Sequence, residues 1–511
     1  MNQSNTKQSK EDQIMPSIDE NPLRAEKRKK LNELKKAGIN PFPYRFSKSH
    51  STQDIRVTYN DKLENGEKTS DIVYLAGRVL TMRNMGKASF FNLSDQQGSL
   101  QIYLKNEEIE AKQLEAFNKL DIGDIVGVKG IVFRTQKGEL SVYAQEFVIL
   151  TKTLEPLPEK YHGLADIEIK YRYRHLDLIT DVESKNVFIA RSKIIREIRK
   201  WMESQNFLEV ETPVLQPIYG GASAHPFSTH HRALDMKLYL KISPELYLKR
   251  LIVGGFEKVF EIGKNFRNEG IDRTHNPEFT MMEWYEAYTD YNDQQDRFES
   301  LVCYLVQTMN GSLTLNYQGQ EISFERPWKR LTVLDGVREY AKIDPDTTPL
   351  PVLREKILEL DSSWAREKDK LFSLSWGELI MELFELTVEK HLVQPTFVMD
   401  HPVEISPLTK IHRKDTRLVE RFEPFIAGME IGNSYSELND PEEQYLRLKE
   451  QESKRSMDDE AHPMDEDFIH AIDVGMPPTG GVGLGIERLV MLLTNRSSIR
   501  DIILFPTMKF K

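Results

Sequence analysis

The residues best suited to chemistry fall in Phe260–Tyr288, FEIGKNFRNEGIDRTHNPEFTMMEWYEAY. Val259–Phe266 reads as a strand, Asn268–Pro277 is polar and broken by Gly270 and Pro277, and Glu278–Tyr288 returns as a second strand. The stretch predicts an antiparallel hairpin with a long loop. Strand side chains alternate between faces, so Phe279, Met281, Glu283 and Tyr285 share one face, and Thr280, Met282 and Trp284 the other. Burying an unpaired carboxylate is costly. Glu283 therefore either has an internal partner or receives a cationic ligand. Arg267, Glu269, Arg273 and His275 sit at the loop ends, where a phosphate-bearing substrate could meet them. Taken alone, these residues also fit a surface hairpin with ordinary ion pairs.

Three further stretches carry candidate groups. Phe422–Ser436 (FEPFIAGMEIGNSYS) reads as a hairpin turning at Ala427–Gly428, which sets Phe425 opposite Glu430 and Glu423 diagonal to it. Two carboxylates so placed could share Mg2+ with phosphate oxygens, or could simply face solvent. Asn433, Tyr435 and Glu437 follow in alternation. With Glu283 and Tyr285, they offer carboxylates and aromatic walls to an ammonium group. In Gly475–Asn495, Gly481, Gly483 and Gly485 leave one strand face bare for a ligand to approach, and Arg488 lies in the first turn of the helix that follows. A dinucleotide fingerprint fails there because its third glycine position holds Arg488, and no Gly-Lys-Ser/Thr follows. Gly220–Ala224 is a small-residue loop, and Glu245 follows Pro244 at a helix start, where a simple dipole role is the ordinary expectation. His225, His230 and His231 lack acidic or cysteine companions at metal-ligand spacing.

These strings resemble the class II aminoacyl-tRNA synthetases, in the bacterial lysyl version, over Asp71–Lys511. FRNEG at Phe266–Gly270 with HNPEFTMMEWY at His275–Tyr285 is similar to motif 2, the Gly475–Asn495 stretch to motif 3, and the helix, strand and proline of 187–213 to motif 1, which builds a dimer. The resemblance implies ATP, L-lysine and tRNA(Lys) as substrates, Mg2+ as cofactor and a homodimer. It implies that Arg267 and Arg488 are catalytic and that Arg267, Glu269, His275, Asn276, Phe279, Glu423, Glu430 and Arg488 bind ATP. Phe279 would stack under adenine, Arg267 would hold the α-phosphate and the amino-acid carboxylate, Arg488 the γ-phosphate, and Glu423 and Glu430 the metal. Lysine would contact Gly221, Glu245, Arg267, Glu283, Tyr285, Asn433, Tyr435 and Glu437, with Glu245 on the α-ammonium and Glu437 and Tyr285 on the ε-ammonium. An aspartyl or asparaginyl enzyme of the same layout would need a cationic pocket. A protein-lysylating relative would lack a barrel domain, and a non-catalytic nucleic-acid binder would not keep the charged set filled.

The elements that must position these groups follow from composition and pattern. The chain has 511 residues and one cysteine, Cys303, which excludes a disulfide framework and suits a reducing cytoplasm. No apolar run is long enough for a membrane helix, and the net charge of −11 restricts nucleic-acid binding to local basic patches. Residues 1–20 are expected to be a disordered tail. Residues 21–70 are expected to be a helical extension, in which Pro22–Lys36 carries Arg24, Lys27, Arg28, Lys29, Lys30, Lys35 and Lys36, either as a phosphate-contacting helix or as a solvated face. Five β-rich runs with a helical segment before the fourth predict an OB-fold barrel over 71–150. The anticodon candidates there are Arg78, Arg83, Phe90, Gln101 and Glu139. A linker is expected over 151–168. A catalytic domain over 169–511, an antiparallel sheet flanked by helices with a helical insertion at about 317–395, completes an α+β multidomain chain. Ile189, Ile194, Ile195, Ile198 and Trp201 mark an amphipathic helix over Val187–Ser204.

Overall fold

A computed structural model describes residues 21–158, 166–454 and 463–509. The expected tail (1–20), residues 159–165 of the expected linker and residues 455–462 lie outside these residues. The chain divides into two compact units, residues 1–163 and 164–511.

In the first unit, α1 (Pro22–Lys36) starts with Asn21 accepting from the Leu23 amide, and Gly38 adopts the left-handed conformation two residues past its end. A second helix, α2 (Thr52–Tyr59), opens with a capping box of Ser51 and Asp54. Leu34 of α1 and Ile55 of α2 enter the barrel core, so the helices and barrel share one hydrophobic interior. The barrel strands are β1 (Lys68–Asn84), β2 (Ala88–Ser94), β3 (Ser99–Lys105), β4 (Ile125–Arg134) and β5 (Leu140–Thr151). They close in the order β1-β2-β3-β5-β4, which leaves no open sheet edge. The helix α3 (Ala111–Phe117) sits between β3 and β4.

The second unit is built on a nine-stranded sheet. Its strands are β6 (Leu208–Glu209), β7 (Lys258–Phe266), β8 (Glu278–Ala287), β9 (Lys329–Thr332), β10 (Thr396–Pro402), β11 (Leu418–Ile426), β12 (Gly432–Ser436) and β13 (Thr479–Gly485), with Met429–Glu430 pairing to β11 off the main path. The order β9-β10-β11-β12-β13-β8-β7-β6 is antiparallel except for the outer pairs β9/β10 and β6/β7. One face is covered by α4 (Val182–Ser204), α6 (Tyr291–Asn310) and α7 (Ile486–Leu493). There Met282, Trp284, Val482 and Leu484 pack against Ile198, Phe298, Val302 and Leu489. Each such side chain contributes about 1.5–3 kcal/mol on burial. Trp284 donates its indole N–H to Gln294 Oε1 at 2.8 Å, so even its polar atom is satisfied inside. The opposite face carries the cleft described below, floored on one side by α5 (Glu245–Val253).

Two expectations need correction. The region from about 317 to 395 is not helical throughout. Thr314–Tyr317 and Gln320–Ser323 form a hairpin, Lys329–Thr332 joins the main sheet, and sizeable helices begin only at Leu350. The turn at Gln318–Gly319, where both residues have positive φ, sets that hairpin, and no helical pattern competes with it. In α4, Ile194 and Ile198 are buried but Ile189 is 47% exposed, so the apolar stripe is wider than this unit covers.

Candidate active site and nucleic-acid face

The cleft is centred on β8 and β13. β8 pairs with β7 in a continuous register from Lys258↔Glu286 to Phe266↔Glu278, which makes the hairpin and its loop. On its other side β8 pairs with β13, so Glu283 faces Gly483 and Tyr285 faces Gly481. β12 continues the pattern, with Asn433 beside Gly483 and Tyr435 beside Gly481. The glycines therefore lie between two rows of functional side chains. A Cβ on Gly481 would collide with Glu437 Oε1 and the Tyr285 ring. The bare face is needed because those side chains fold over it.

Two adjoining cavities, of about 290 and about 200 Å³, share Arg267, Met281 and Glu430. The larger is lined by Gly221, Glu245, Arg267, Glu283, Tyr285, Glu423, Glu430, Asn433 and Tyr435 among others. The smaller is lined by Arg267, Glu269, Thr274, His275, Asn276, Phe279, Glu430 and Arg488 among others. Every residue expected in the cleft lines one or the other, save Glu437 and Arg273. The buried Glu437 carboxylate lies just behind Gly481. Arg273 turns away to the Ser497 carbonyl (3.3 Å) and lines neither cavity.

The larger cavity is acidic. Glu283 accepts from Ser243 Oγ (2.8 Å) and Tyr285 OH (3.1 Å). Burial, then the charge of Glu245, pushes the Glu283 carboxyl up to about 8. Tyr435 OH donates to Glu245 Oε2 at 2.5 Å, and Lys249 Nζ donates to Glu245 Oε1 at 2.6 Å. Burial and the surrounding carboxylates also raise the phenols of Tyr285 and Tyr435, which stay protonated as donors. Gly221 has φ +84°, and a Cβ there would sit 2.8 Å from the Glu245 Cβ, so this loop position favours glycine on two counts.

The smaller cavity is flanked by two guanidinium groups, those of Arg267 and Arg488. The Arg267 guanidinium lies 5.2 Å from the centre of the Phe279 ring. Arg488 donates to the Glu430 carbonyl (2.6 Å), to Glu430 Oε2 (3.1 Å) and to His275 Nε2 (3.2 Å). A guanidinium only donates, so Nε2 accepts and Nδ1 carries the proton toward Asp272 Oδ2 at 2.8 Å. Asn276 donates to the Glu278 carbonyl (2.6 Å), while its buried Oδ1 meets no donor among the described residues.

Glu423 and Glu430 both line the larger cavity. Arg421 donates to Glu423 at 2.6 Å. Burial alone would raise the Glu423 carboxyl, but Arg421 and His401 hold it down to about 2. Negative field remains in excess here. Glu385 and Glu389 behind the turn are pushed up to about 7, first by burial and then by neighbouring carboxylates that include Glu423 and Glu430. An oxygen-only donor pair in surplus negative charge fits a hard divalent cation. No group of three or more His, Cys, Asp or Glu side chains with metal-site geometry occurs among the described residues, so the pair would need ligand oxygens to complete a shell.

Sequence reasoning missed Arg421, which donates to Asn433 Oδ1 (2.9 Å), Ser406 Oγ (2.9 Å) and Glu423. Its spacing two residues before Glu423 on β11 was the available signal. It also missed Lys249, Ser243 and the wall at Ile405–Thr409.

On the barrel, Phe90, Tyr103, Tyr143 and Phe133 form an aromatic run across the outer face, with successive ring centres 4.8, 5.0 and 5.8 Å apart. Arg83 is exposed and lies opposite Phe90, Gln101 pairs with Asn92 and Ser141 beside this run, and Glu139 is exposed just before β5. Arg78 does not belong with them. Its half-buried guanidinium donates to the Gly123 carbonyl at 2.7 Å, and burial lowers its pKa. The basic face of α1 is likewise partly consumed. Lys27 donates to the Ile122 carbonyl (3.1 Å), Lys30 to Asp121 (2.6 Å) and Arg24 to Glu155 (3.3 Å), while Lys29, Lys35 and Lys36 stay exposed.

Both units match known families. The description "tRNA synthetases class II (D, K and N)" matches residues 166–509, and "OB-fold nucleic acid binding domain" matches 73–150. The chain belongs to the class II tRNA synthetases of that group. Within it, the chain is 49% identical over 486 residues to the lysine–tRNA ligase of Carboxydothermus hydrogenoformans, covering 94% of this chain and 96% of the relative. It is 50% identical over 498 residues to that of Moorella thermoacetica (96% and 99% covered) and 48% over 489 residues to that of Bacillus cytotoxicus (95% and 97%). No described helix is long and apolar enough to cross a membrane.

Proposed function

We infer that this chain is a lysine–tRNA ligase, which activates L-lysine with ATP and transfers it to the 3′ end of tRNA(Lys). The observation that carries this reading is the carboxylate-lined cavity around Glu245, Glu283 and Glu437, opening onto a second cavity flanked by Arg267 and Arg488. Its relatives of matching length bear the same activity in their names.

In the first step a lysine carboxylate oxygen attacks the α-phosphorus of ATP. A phosphorus–oxygen bond forms to lysine as the bond to pyrophosphate breaks, giving lysyl-adenylate. The terminal ribose hydroxyl of the tRNA then attacks the lysyl carbonyl and AMP leaves. No side-chain nucleophile is needed, so the protein acts by positioning and by stabilising charge. Arg267 borders both cavities, which suits it to hold the lysine carboxylate and the α-phosphate together. Phe279 offers a ring to adenine, and Arg488 a cation to the outer phosphate, with His275, Asn276 and Glu269 around them. Glu245 suits the α-ammonium, Glu437 and Tyr285 the ε-ammonium, with Gly221, Glu283, Asn433 and Tyr435 completing the wall. Glu423 and Glu430 would hold Mg2+, which supplies neutralisation of phosphate charge when bound. The exposed Ile189 and Leu208, on α4 and the two-residue edge strand β6, suit this side of the second unit to a homodimer contact.

The deciding experiment is ATP–pyrophosphate exchange with each amino acid, followed by aminoacylation with tRNA(Lys). Exchange driven by lysine and charging of that tRNA are expected. Exchange driven by aspartate or asparagine, or none at all, would sink the reading. On the barrel, Phe90→Ala should raise the KM for tRNA by about tenfold, from stacking worth about 1–3 kcal/mol, and leave pyrophosphate exchange unchanged.

A further inference from the structure

Lys249 is an odd residue to find beside a pocket for a cationic substrate. It is fully buried, with 0% exposure, four residues along α5 from Glu245. Its ammonium meets Glu245 Oε1 at 2.6 Å and also contacts Glu437 Oε2. It lies 5.5 Å from the Tyr435 ring centre and 5.9 Å from that of Phe468. Burial alone would lower its pKa, but Glu245 and Glu437 overcome this and raise it. Each carboxylate keeps a second oxygen for other work. Glu245 Oε2 takes the Tyr435 hydroxyl, and Glu437 Oε1, fully buried, meets no donor among the described residues and is aimed past Gly481 toward the cavity.

Resting on the lysine reading of this cavity, we propose that Lys249 is a positioning residue for amino-acid recognition: its buried ammonium ties Glu245 and Glu437 together and sets their free oxygens, one for each ammonium of the substrate. The physical need is plain. Three buried carboxylates, Glu245, Glu283 and Glu437, lie in one region. Like charges so placed cannot all ionise, and a proton would settle among them. A protonated carboxyl is a poor acceptor for an ammonium. A fixed internal cation works against that outcome at Glu437, whose carboxyl burial still pushes well above its ordinary range. The same tie sets the two acceptors at a fixed separation. The pocket then selects for a molecule with two ammonium groups spaced to match, and a shorter diamino acid reaches only one of them.

The test uses the full-length protein, with pyrophosphate exchange as readout. Lys249→Met keeps the length of the side chain and removes its charge. It is expected to raise the KM for lysine by about a hundredfold, as broken buried pairs do, while the KM for ATP stays within about threefold. Lys249→Ala should be partly rescued by ethylammonium ion, with the KM for lysine falling at least about fivefold, and not by ethanol of the same size. A lysine KM within about threefold of the parent, equal rises in both KM values, or equal rescue by ethanol would each overturn the proposal. Should the single variants not fold, Lys249→Met in a Glu437→Gln background removes one of the opposed carboxylates. There a lysine KM at least about tenfold above that of Glu437→Gln alone supports the role, and an equal KM refutes it. Failure of the unaltered protein to exchange pyrophosphate with lysine would instead strike the underlying reading, before any variant is made.

Discussion

The two ends of the cleft are built on opposite principles. At the amino-acid end, Glu245, Glu283 and Glu437 are almost wholly buried and held by Ser243, Tyr285, Tyr435 and Lys249. At the nucleotide end, Arg267 and Arg488 are half-buried cations; Arg488 is held only by Glu430 and His275 among the contacts described above, and Arg267 Nε meets no acceptor among the described residues. A nucleotide brings three phosphates and its own counter-ions, so a loosely held cationic surface can adapt to it. An amino acid brings only a few atoms. Discriminating it requires acceptors set in advance, because misplaced or unpaired polar groups in a dry site are costly. The comparison assigns selectivity to the acidic end and charge stabilisation to the basic end.

The largest expected break in this division is at Arg267, which serves both ends. Arg267→Ala should lower adenylate formation by about a thousandfold or more and leave the melting temperature nearly unchanged. Near-normal pyrophosphate exchange would remove this residue from the chemistry. Next is Gly481→Ala, whose new methyl would displace Glu437 and Tyr285. It should raise the KM for lysine about a hundredfold and hardly change that for ATP. Comparable losses for both substrates would show that the two ends are not separable.

A gentler probe is pH. Glu283 is raised from 4.5 to about 8 in the empty pocket. An incoming ammonium favours its ionised form, so lysine binding should release a proton, and the KM for lysine should fall as pH rises from 6 to about 8 and then level off. The same shift sets a stability slope. A carboxyl that holds its proton more tightly when folded costs stability as pH rises from 4.5 through about 8. Glu283→Gln should therefore flatten the KM profile and gain in melting temperature relative to the parent as the buffer becomes more alkaline. A parallel profile in the variant would mean that another group titrates. The smallest effect belongs to the nucleotide end. Phe279→Leu, which keeps apolar bulk but loses the ring, should raise the KM for ATP about tenfold or less with lysine unaffected.

Much of this was legible before any coordinates. The β7–β8 hairpin was, because alternation at one-residue resolution separates Trp284 from Glu283 and no other register buries the first while sparing the second. The turn at Ala427–Gly428 was, and both residues have positive φ. Harder to read were contacts made by cations that look ordinary in one dimension. Lys249 stands four residues after Glu245 on a helix, which is the spacing of any surface ion pair. Nothing local says that it is buried or that it also reaches Glu437. Arg78 misled in the opposite sense. It sits in a basic, strand-like stretch and looks available, yet the barrel's closure brings the Gly123 carbonyl to it. The hairpin inside the expected helical insertion was hidden by short strands of four residues, too brief for periodicity to register.

The unbroken pairing of β8 on both sides has a consequence for how such a gene can drift. Dropping or adding one codon between Glu278 and Glu283 would turn the following side chains over, sending Trp284 out into the cavity and Tyr285 down among the packed helices. No compensating change elsewhere repairs an inversion of that kind. The polar bend at 267–277 makes few ladder bonds, so a change of length there inverts no strand face, but it would move Arg267, Glu269, His275 and Asn276 relative to the cavity they line. Length variation among functional descendants should therefore be absent from the strand.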